Sequence, residues 1–189
     1  AADIWGEALD SNAVIIIVSS FDPLGPNVLG QAGATSAFRD FPGAIFPDTW
    51  YGSALANKLV GVDLNPGGPD IAAQFSSDFP FYLGLDNNHG LLNDLAAVVL
   101  HEIGHGLGFA NFVTEATGQN LNGHTDAYSH FTHDETTGLD WNVMNNNQRK
   151  QSAINVRNVS WDGPIVTSQI PRVLQVGEPQ VFVNSPASI

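Results

Sequence analysis

The clearest pattern of apolar residues in the chain is helical and covers residues 93–106. Asn93 and Asp94 are both suited to cap a helix N-terminus, and the residues after them are apolar helix formers or β-branched residues typical of buried positions. Gly106 and Gly108 close the pattern and are typical of a helix end. The sequence therefore predicts a helix that begins at one of these caps and ends at the glycines.

Two patterns typical of strands lie before this helix. Residues 13–18 are mostly β-branched and apolar, which predicts a buried central strand with cover on both faces. Over residues 70–77, apolar residues alternate with smaller or polar ones, as in a half-buried strand. The N-terminal half of the chain is therefore expected to contain a sheet.

Three shorter segments add to this picture. Leucines four residues apart predict a helix over residues 53–60, and Ser53 is placed to cap it. The polar segment 145–154 predicts a short helix, because basic residues stand near its end. One more strand is expected over residues 180–183.

These elements predict an α+β fold. We expect a twisted mixed sheet with the helix over 53–60 behind it and the helix over 93–106 packed on it, followed by an irregular C-terminal lobe. Residues 1–189 are expected to form a single domain, with an N-terminal lobe over about 1–110, a C-terminal lobe over about 111–175 and a short tail.

Charge and composition exclude several classes of partner. The formal net charge is −13 at pH 7, and Arg39 and Lys58 are the only basic residues before position 149. Because phosphate groups are bound through Lys and Arg, we expect neither nucleic acid nor an anionic membrane surface as a partner. The apolar run over residues 13–18 is too short to span a bilayer.

The chain has no cysteine, so a bound metal would need His, carboxylate or amide ligands. Zinc held by histidines and a carboxylate fits this set of side chains. Few lysines and many Asn, Gly and Ser residues favour a secreted protein, which we expect to be a monomer.

His101, Glu102 and His105 form the pattern H-E-x-x-H within the predicted helix. Residues four apart share one helix face, so both imidazoles can bind one zinc ion while the Glu102 carboxylate is free to act as a general base. The alternative is a chance pattern of two ordinary polar histidines. The chain has only six histidines, so chance seldom produces this spacing inside a helix.

A catalytic zinc site needs a third protein ligand, and several residues compete for that position. The metzincin pattern H-E-x-x-H-x-x-G-x-x-H/D is matched through Gly108, but Asn111 stands where the ligand should be, and an amide oxygen is a poor zinc ligand. Asp126 is preferred because it is a carboxylate with a tyrosine two residues later. Three histidines remain as alternatives: His124, His130 and His133.

Three further hypotheses concern residues around this site. Tyr128 is a candidate hydrogen-bond donor to the oxyanion that develops during peptide hydrolysis, with packing in the core as the alternative. Met144 suits the Met-turn beneath the zinc of metzincins, or a buried position that fills a gap in the core. Residues 86–90 offer oxygen ligands for Ca²⁺, although they lack the EF-hand pattern and such residues are common in loops.

The chain resembles secreted bacterial metallopeptidases of the zincin superfamily. Three segments carry the resemblance: residues 101–109 match H-E-[IL]-x-H-G-L-G-F, residues 126–131 match D-x-[YF]-x-x-F, and residues 161–164 match W-D-G-P. The resemblance favours Asp126 as the third zinc ligand, because this residue lies in one of the matching segments and Asn111 does not.

The resemblance implies a zincin-like fold, a catalytic zinc ion, and a peptide or protein as the substrate. It also implies that the strand over residues 70–77 pairs its open edge with the extended substrate, with an ordinary strand inside the sheet as the alternative. The leading hypothesis is a zinc endopeptidase with Glu102 as the general base. A non-catalytic zinc-binding or adhesion module of the same fold is the alternative, because Asn111 replaces a metzincin ligand and few charged residues are available to position a substrate.

Overall fold

A computed structural model describes residues 1–86, 88–173 and 181–182 of the chain. Helices and several small sheets alternate along it, so the predicted α+β class is confirmed. The chain divides into two compact units, which consist of Ala1–Pro47 with Tyr51–Ala110 and of Asp48–Trp50 with Asn111–Ile189.

The first unit contains three helices and seven strands in its described part. In chain order they are α1 (Ala2–Ala8), β1 (Ile17–Asp22), β2 (Gly30–Ala34), β3 (Ala37–Phe38), β4 (Tyr51–Gly52), α2 (Ser53–Val60), β5 (Ile71–Ser76), β6 (Phe81–Tyr82), β7 (Asn93–Asp94) and α3 (Leu95–Gly106). The helix expected over residues 93–106 is therefore α3, and the strand expected over 70–77 is β5.

The main sheet of the first unit has the strand order β1-β5-β2. β5 is parallel to β1 and antiparallel to β2, and its side chains Ile71, Ala73 and Phe75 are buried. Both backbone edges of β5 are hydrogen-bonded to neighbouring strands. The expectation that β5 offers an open edge to a substrate is therefore wrong, and the antiparallel edge strand of this sheet is β2.

The apolar run over residues 13–18 does not form a central strand, which corrects the sequence prediction. β1 begins only at Ile17 and lies at the edge of the sheet. Val14 and Val18 are 75% and 51% exposed, so the run is not covered on both faces. The apolar pattern predicted the presence of a strand but not its place in the sheet, which depends on pairing with β5.

α2 begins at Ser53 and ends at Val60, as predicted, but Ser53 does not cap it. The N-cap residue is Gly52, and the Ser53 hydroxyl instead donates a hydrogen bond of 2.7 Å to the carbonyl oxygen of Asp70. Nδ2 of Asn57 donates to the Asp70 carboxylate at 2.7 Å. The buried side chains of this helix therefore tie it to the start of β5.

The second unit contains a short 3-10 helix and a second sheet. Its elements in the described residues are the 3-10 helix (Leu121–Gly123), β8 (Thr132–Asp134), β9 (Leu139–Asp140), α4 (Asn146–Ala153), β10 (Val159–Trp161), α5 (Pro164–Val173) and β11 (Val181–Phe182). The sheet has the order β11-β10-β8-β9, and all of its strand pairs are antiparallel.

The helix predicted over residues 145–154 is α4, which begins with a reciprocal capping box between Asn145 and Gln148. The strand predicted over 180–183 agrees with β11 at its two described residues, and residues 180 and 183 lie outside the described part.

A small core packs beside α4 in this unit, formed by Val113, Trp141, Met144, Ala153 and Val159. Met144 is 4% exposed in this core, and its place in a Met-turn beneath zinc stays a prediction.

None of the helices in the described part of the chain is long and apolar enough to cross a membrane. The longest, α3, has 12 residues, about half of what a bilayer requires.

Candidate zinc-binding site

α3 carries the two histidines, and its N-terminus is fixed by a side-chain cap. Oδ1 of Asp94 accepts hydrogen bonds from the backbone N–H groups of Ala96 and Ala97 at 2.8 and 3.4 Å. Of the two caps that the sequence allowed, the structure therefore uses Asp94. The cap satisfies donors that the first helical turn leaves unpaired, which defines where the helix begins.

His101 and His105 lie side by side on α3. Their Nε2 atoms are 3.0 Å apart, and their rings are nearly perpendicular, with an interplanar angle of 89°. Two nitrogen ligands at about 2.0–2.1 Å from one tetrahedral zinc ion are about 3.3 Å apart. The two imidazoles therefore fit the geometry of neighbouring ligands on one metal ion.

The carbonyl oxygen of Phe109 fixes the tautomer of His105. It lies 2.8 Å from Nδ1 of His105, and because a carbonyl only accepts, Nδ1 must carry the proton. The lone pair is then on Nε2, the atom that faces His101. Metal-binding histidines are commonly oriented in this way by a partner on their other ring nitrogen.

Gly108 allows the chain to turn so that the Phe109 carbonyl reaches His105. Its φ is +122°, a conformation that side chains rarely adopt, and a Cβ at this position would lie 3.2 Å from Cδ2 of Leu55. The glycine that the sequence suggested as a helix stop therefore also orients a candidate metal ligand.

Replacing Gly108 by Ala is expected to destabilise the protein by about 1–3 kcal/mol, the usual cost of a residue held in a sparsely populated backbone region. Zinc affinity is expected to fall as well, because the Phe109 carbonyl is displaced from His105. Thermal unfolding and zinc titration measure the two effects. Gly6→Ala is the control, since a Cβ there meets nothing within 4 Å; equal behaviour of the two variants would contradict the role of Gly108.

Glu102 faces the sheet and is only 5% exposed. It lies so close to β2 that a Cβ on Gly30 would be 2.9 Å from its Cγ atom, and its carboxylate accepts a hydrogen bond from the backbone of Ala32. Burial raises the pKa of Glu102, and the charges of His105 and His101 act in the opposite direction. A carboxylate with a raised pKa takes up a proton more readily, as a general base must.

Two close contacts hold α3 in place within the first unit. Gly106 packs against Ile71 of β5 with no space for a side chain, and Nε1 of Trp5 donates a hydrogen bond of 3.1 Å to the carbonyl oxygen of Leu100. The helix that carries the histidines is therefore anchored to β5 at one end and to α1 near its middle. Such support keeps ligand side chains in a defined position.

Asp126 belongs to the second unit and organises its own loop. The residue is 2% exposed. Its Oδ1 accepts a hydrogen bond from the Ser129 N–H at 2.8 Å, and its Oδ2 accepts from the Phe112 N–H and the Ser129 hydroxyl, both at 2.9 Å. Burial raises the pKa of Asp126, and these hydrogen bonds offset only part of that rise. These contacts give Asp126 a structural role, and its role as a zinc ligand stays a prediction.

Asn111 and His130 also make local hydrogen bonds. The side-chain oxygen of Asn111 accepts from the Val113 N–H at 2.9 Å. The ring nitrogens of His130 lie 3.0 Å from the Thr49 hydroxyl and 3.0 Å from Nδ2 of Asn142. A metal at a ring nitrogen of His130 would replace one of its two hydrogen bonds.

His124 and His133 each face a carboxylate. Nδ1 of His124 is 2.8 Å from Oδ1 of Asp48, and Nδ1 of His133 is 2.6 Å from Oδ1 of Asp140. The hydrogen bond that the His133 ring donates to the Asp140 carboxylate raises the pKa of His133. The ligand atoms of His133, Asp140 and Asp162 all lie within 4.8 Å of one another, a group that sequence reasoning did not identify. The turn between β8 and β9 was the available signal, because it brings residues on its two sides together.

Tyr128 stacks on Trp161, with ring centroids 6.0 Å apart and an interplanar angle of 28°. Burial, with a contribution from Asp126, raises the pKa of Tyr128 to about 12. Its hydroxyl is therefore protonated at neutral pH and able to donate a hydrogen bond. The proposed contact with an oxyanion stays a prediction.

Tyr82 forms a hydrogen bond to the candidate calcium segment over residues 86–90. The Asp86 carboxylate accepts hydrogen bonds from the Tyr82 hydroxyl and, at 3.1 Å, from the Asn88 N–H. The hydrogen bond from Tyr82 lowers the pKa of Asp86. Residue 87 lies outside the described residues, and calcium binding here stays a prediction.

Comparison of the chain with family models, curated proteins and solved structures found no match.

Proposed function

We propose that the protein is a secreted zinc-dependent endopeptidase of the zincin type, in which His101 and His105 bind the metal ion and Glu102 is the general base. The observation that supports this most is the pair of Nε2 atoms 3.0 Å apart, with the His105 tautomer set by the Phe109 carbonyl. The buried Glu102 carboxylate on the same helix supplies the group that hydrolysis requires.

Zinc bound between the two histidines would supply a Lewis acid that lowers the pKa of water and polarises the scissile carbonyl. Glu102 would take the proton from the attacking water at its carboxylate and transfer it to the leaving amine nitrogen. The raised pKa of Glu102 favours the first of these steps, in which the carboxylate takes up the proton. During both steps, the Nδ1–H group of His105 would keep its hydrogen bond to the Phe109 carbonyl.

β2 is the strand best suited to receive an extended substrate. It is an edge strand of the β1-β5-β2 sheet, and Gly30 and Ala32 on this strand contact Glu102. A peptide added as a further strand would gain backbone hydrogen bonds from the sheet edge. The substrate class that fits is an unfolded or extended polypeptide, so the substrate edge is proposed to be β2 and not β5.

The first test is removal and return of the metal. Protein treated with a chelator is expected to lose hydrolysis of a denatured protein, and about one equivalent of Zn²⁺ is expected to restore it. Cleavage is measured by the release of new amino termini. Unchanged cleavage after complete removal of zinc would contradict the proposal.

The third zinc ligand is a separate prediction, and Asp126→Asn distinguishes its two possible roles. If Asp126 is a ligand, the variant binds zinc about tenfold or more weakly. If it only organises the loop, the variant loses about 1–3 kcal/mol of stability, because the buried Phe112 and Ser129 donors lose an acceptor, and zinc affinity is unchanged. Zinc titration and chemical denaturation of the same variant separate these outcomes.

A non-catalytic zinc-binding module is the second candidate, and one observation favours it. Two of the alternatives for a third ligand, Asn111 and His130, already have hydrogen-bond partners in the second unit. A module of this kind would bind zinc without cleaving any polypeptide, so zinc binding in the absence of hydrolysis would favour it over the peptidase.

A further inference from the structure

A histidine and two carboxylates meet on the sheet of the second unit. The ligand atoms of His133, Asp140 and Asp162 lie within 4.8 Å of one another. We propose that these three side chains form a second binding site for a divalent transition-metal ion of the zinc or manganese class, separate from the histidines of α3. This site does not depend on the proposed peptidase function.

Strand pairing places the three side chains on one face of the sheet. His133 of β8 is opposite Asp140 of β9 and opposite Ser160 of β10. Side chains two residues apart in a strand point to the same face, so Asp162 follows Ser160 on the face of His133. The Asp162 N–H donates a hydrogen bond of 2.9 Å to the Phe131 carbonyl, which continues the pairing beyond β10. Hydrogen-bonded backbone on neighbouring strands therefore holds all three ligands.

The donor set suits the proposed metals. One imidazole and two carboxylates are ligands that zinc and manganese both accept. Nδ1 of His133 is 2.6 Å from Oδ1 of Asp140, whereas two ligand atoms on one zinc ion are about 3.3 Å apart, so small side-chain rotations would admit the ion. The side chains of His133 and Asp140 are 25% and 38% exposed, so an ion can reach them from solvent.

The charge on this face also favours a cation. Glu135, two residues after His133, lies on the same face and accepts a hydrogen bond of 2.8 Å from the Ser160 hydroxyl. Three carboxylates therefore surround one imidazole: Glu135, Asp140 and Asp162. A proton on His133 balances one of these negative charges, whereas a divalent ion balances two.

The test uses the full chain with both α3 histidines removed, His101→Ala/His105→Ala, so that its outcome is independent of zinc binding to the helix. The protein is dialysed against Zn²⁺ alone, and in parallel against Mn²⁺ alone, and its metal content and thermal unfolding are measured. We expect about one bound ion per chain and a higher Tm than in the presence of a chelator. Adding Asp162→Asn or His133→Ala should weaken binding about tenfold or more.

Asp10→Asn in the same background is the matched control, because it makes the same change as Asp162→Asn at an exposed carboxylate that belongs to neither proposed metal site. It should leave metal binding unchanged. The proposal is overturned if the double variant binds neither ion, or if Asp162→Asn and His133→Ala bind as tightly as their parent. Circular dichroism establishes that each variant folds, and Asp162→Asn, which conserves side-chain size, decides the result if His133→Ala does not fold.

Discussion

Replacing Glu102 by Gln is expected to reduce the rate of polypeptide hydrolysis by about 10²- to 10⁴-fold, the usual contribution of a general base. The amide has nearly the same size as the carboxylate, so it can occupy the space beside Gly30, but it cannot take a proton from water. Zinc content should stay unchanged, because Glu102 is not a ligand in the proposed site. The measurement is kcat/KM on a denatured protein or a fluorogenic peptide, with zinc determined in the same samples.

Glu7→Gln is the matched control for this experiment. Glu7 is exposed on α1, and the same change of charge there should leave both hydrolysis and zinc binding as in the parent protein. Equal rates for Glu102→Gln and the parent would show that Glu102 is not the base. Loss of zinc from Glu102→Gln would instead show that the carboxylate contributes to metal binding.

Replacing Gly118 by Ala is expected to destabilise the protein by about 2–5 kcal/mol, from backbone strain together with overpacking. Gly118 has a φ of +71°, and a Cβ there would overlap the carbonyl oxygen of Asn146 and lie 2.8 Å from the Lys150 nitrogen. These neighbours are backbone atoms of α4 and cannot rotate away. Nε of the buried Arg149 also donates a hydrogen bond of 2.7 Å to the Gly118 carbonyl, so displacement of this loop would leave that N–H group without its acceptor.

Gly138→Ala isolates the strain from the overlap. Gly138 has a similar φ of +67°, but a Cβ there meets nothing within 4 Å. This control should lose only about 1–2 kcal/mol, the cost of a left-handed backbone conformation. Chemical denaturation gives both free energies of unfolding. A loss for Gly118→Ala no larger than that for Gly138→Ala would contradict the packing of α4 against this loop.

The elements that the sequence predicted well are those whose patterns are local. α2 begins and ends where the leucine spacing indicated, and α3 begins at one of its two suggested caps. β5 was recognisable because burial on one face imposes alternation along its own residues. In each case, the information lies within one element.

Features that depend on distant partners were predicted less well. The apolar run over residues 13–18 was expected to be a central strand, yet β1 is at the edge of its sheet, since only pairing with β5 decides its position. Ser53 resembles a helix cap, but Asp70 competes for its hydroxyl. The helices α1 and α5 were not predicted, because α1 has no capping side chain and the sequence of α5 contains β-branched residues and an internal proline.

In the candidate site, too, the features with a local pattern were predicted and those that depend on distant residues were not. The spacing of His101, Glu102 and His105 predicted two neighbouring imidazoles on one helix, and they lie with their Nε2 atoms 3.0 Å apart. The contacts of Glu102 with β2 could not be predicted without the fold, although a glycine within a strand often marks the close approach of another group. Residue spacing identifies metal ligands within one helix, but it does not identify a ligand that comes from a separate loop. The third ligand could therefore not be derived from the sequence.

The measurement that tests the central claim most directly is crystallography of the zinc-loaded protein, with anomalous data collected on both sides of the zinc absorption edge. The proposal predicts an anomalous peak at about 2.0–2.1 Å from Nε2 of both His101 and His105, with Glu102 outside the coordination sphere. Zinc absent from these two nitrogens at full loading would contradict it.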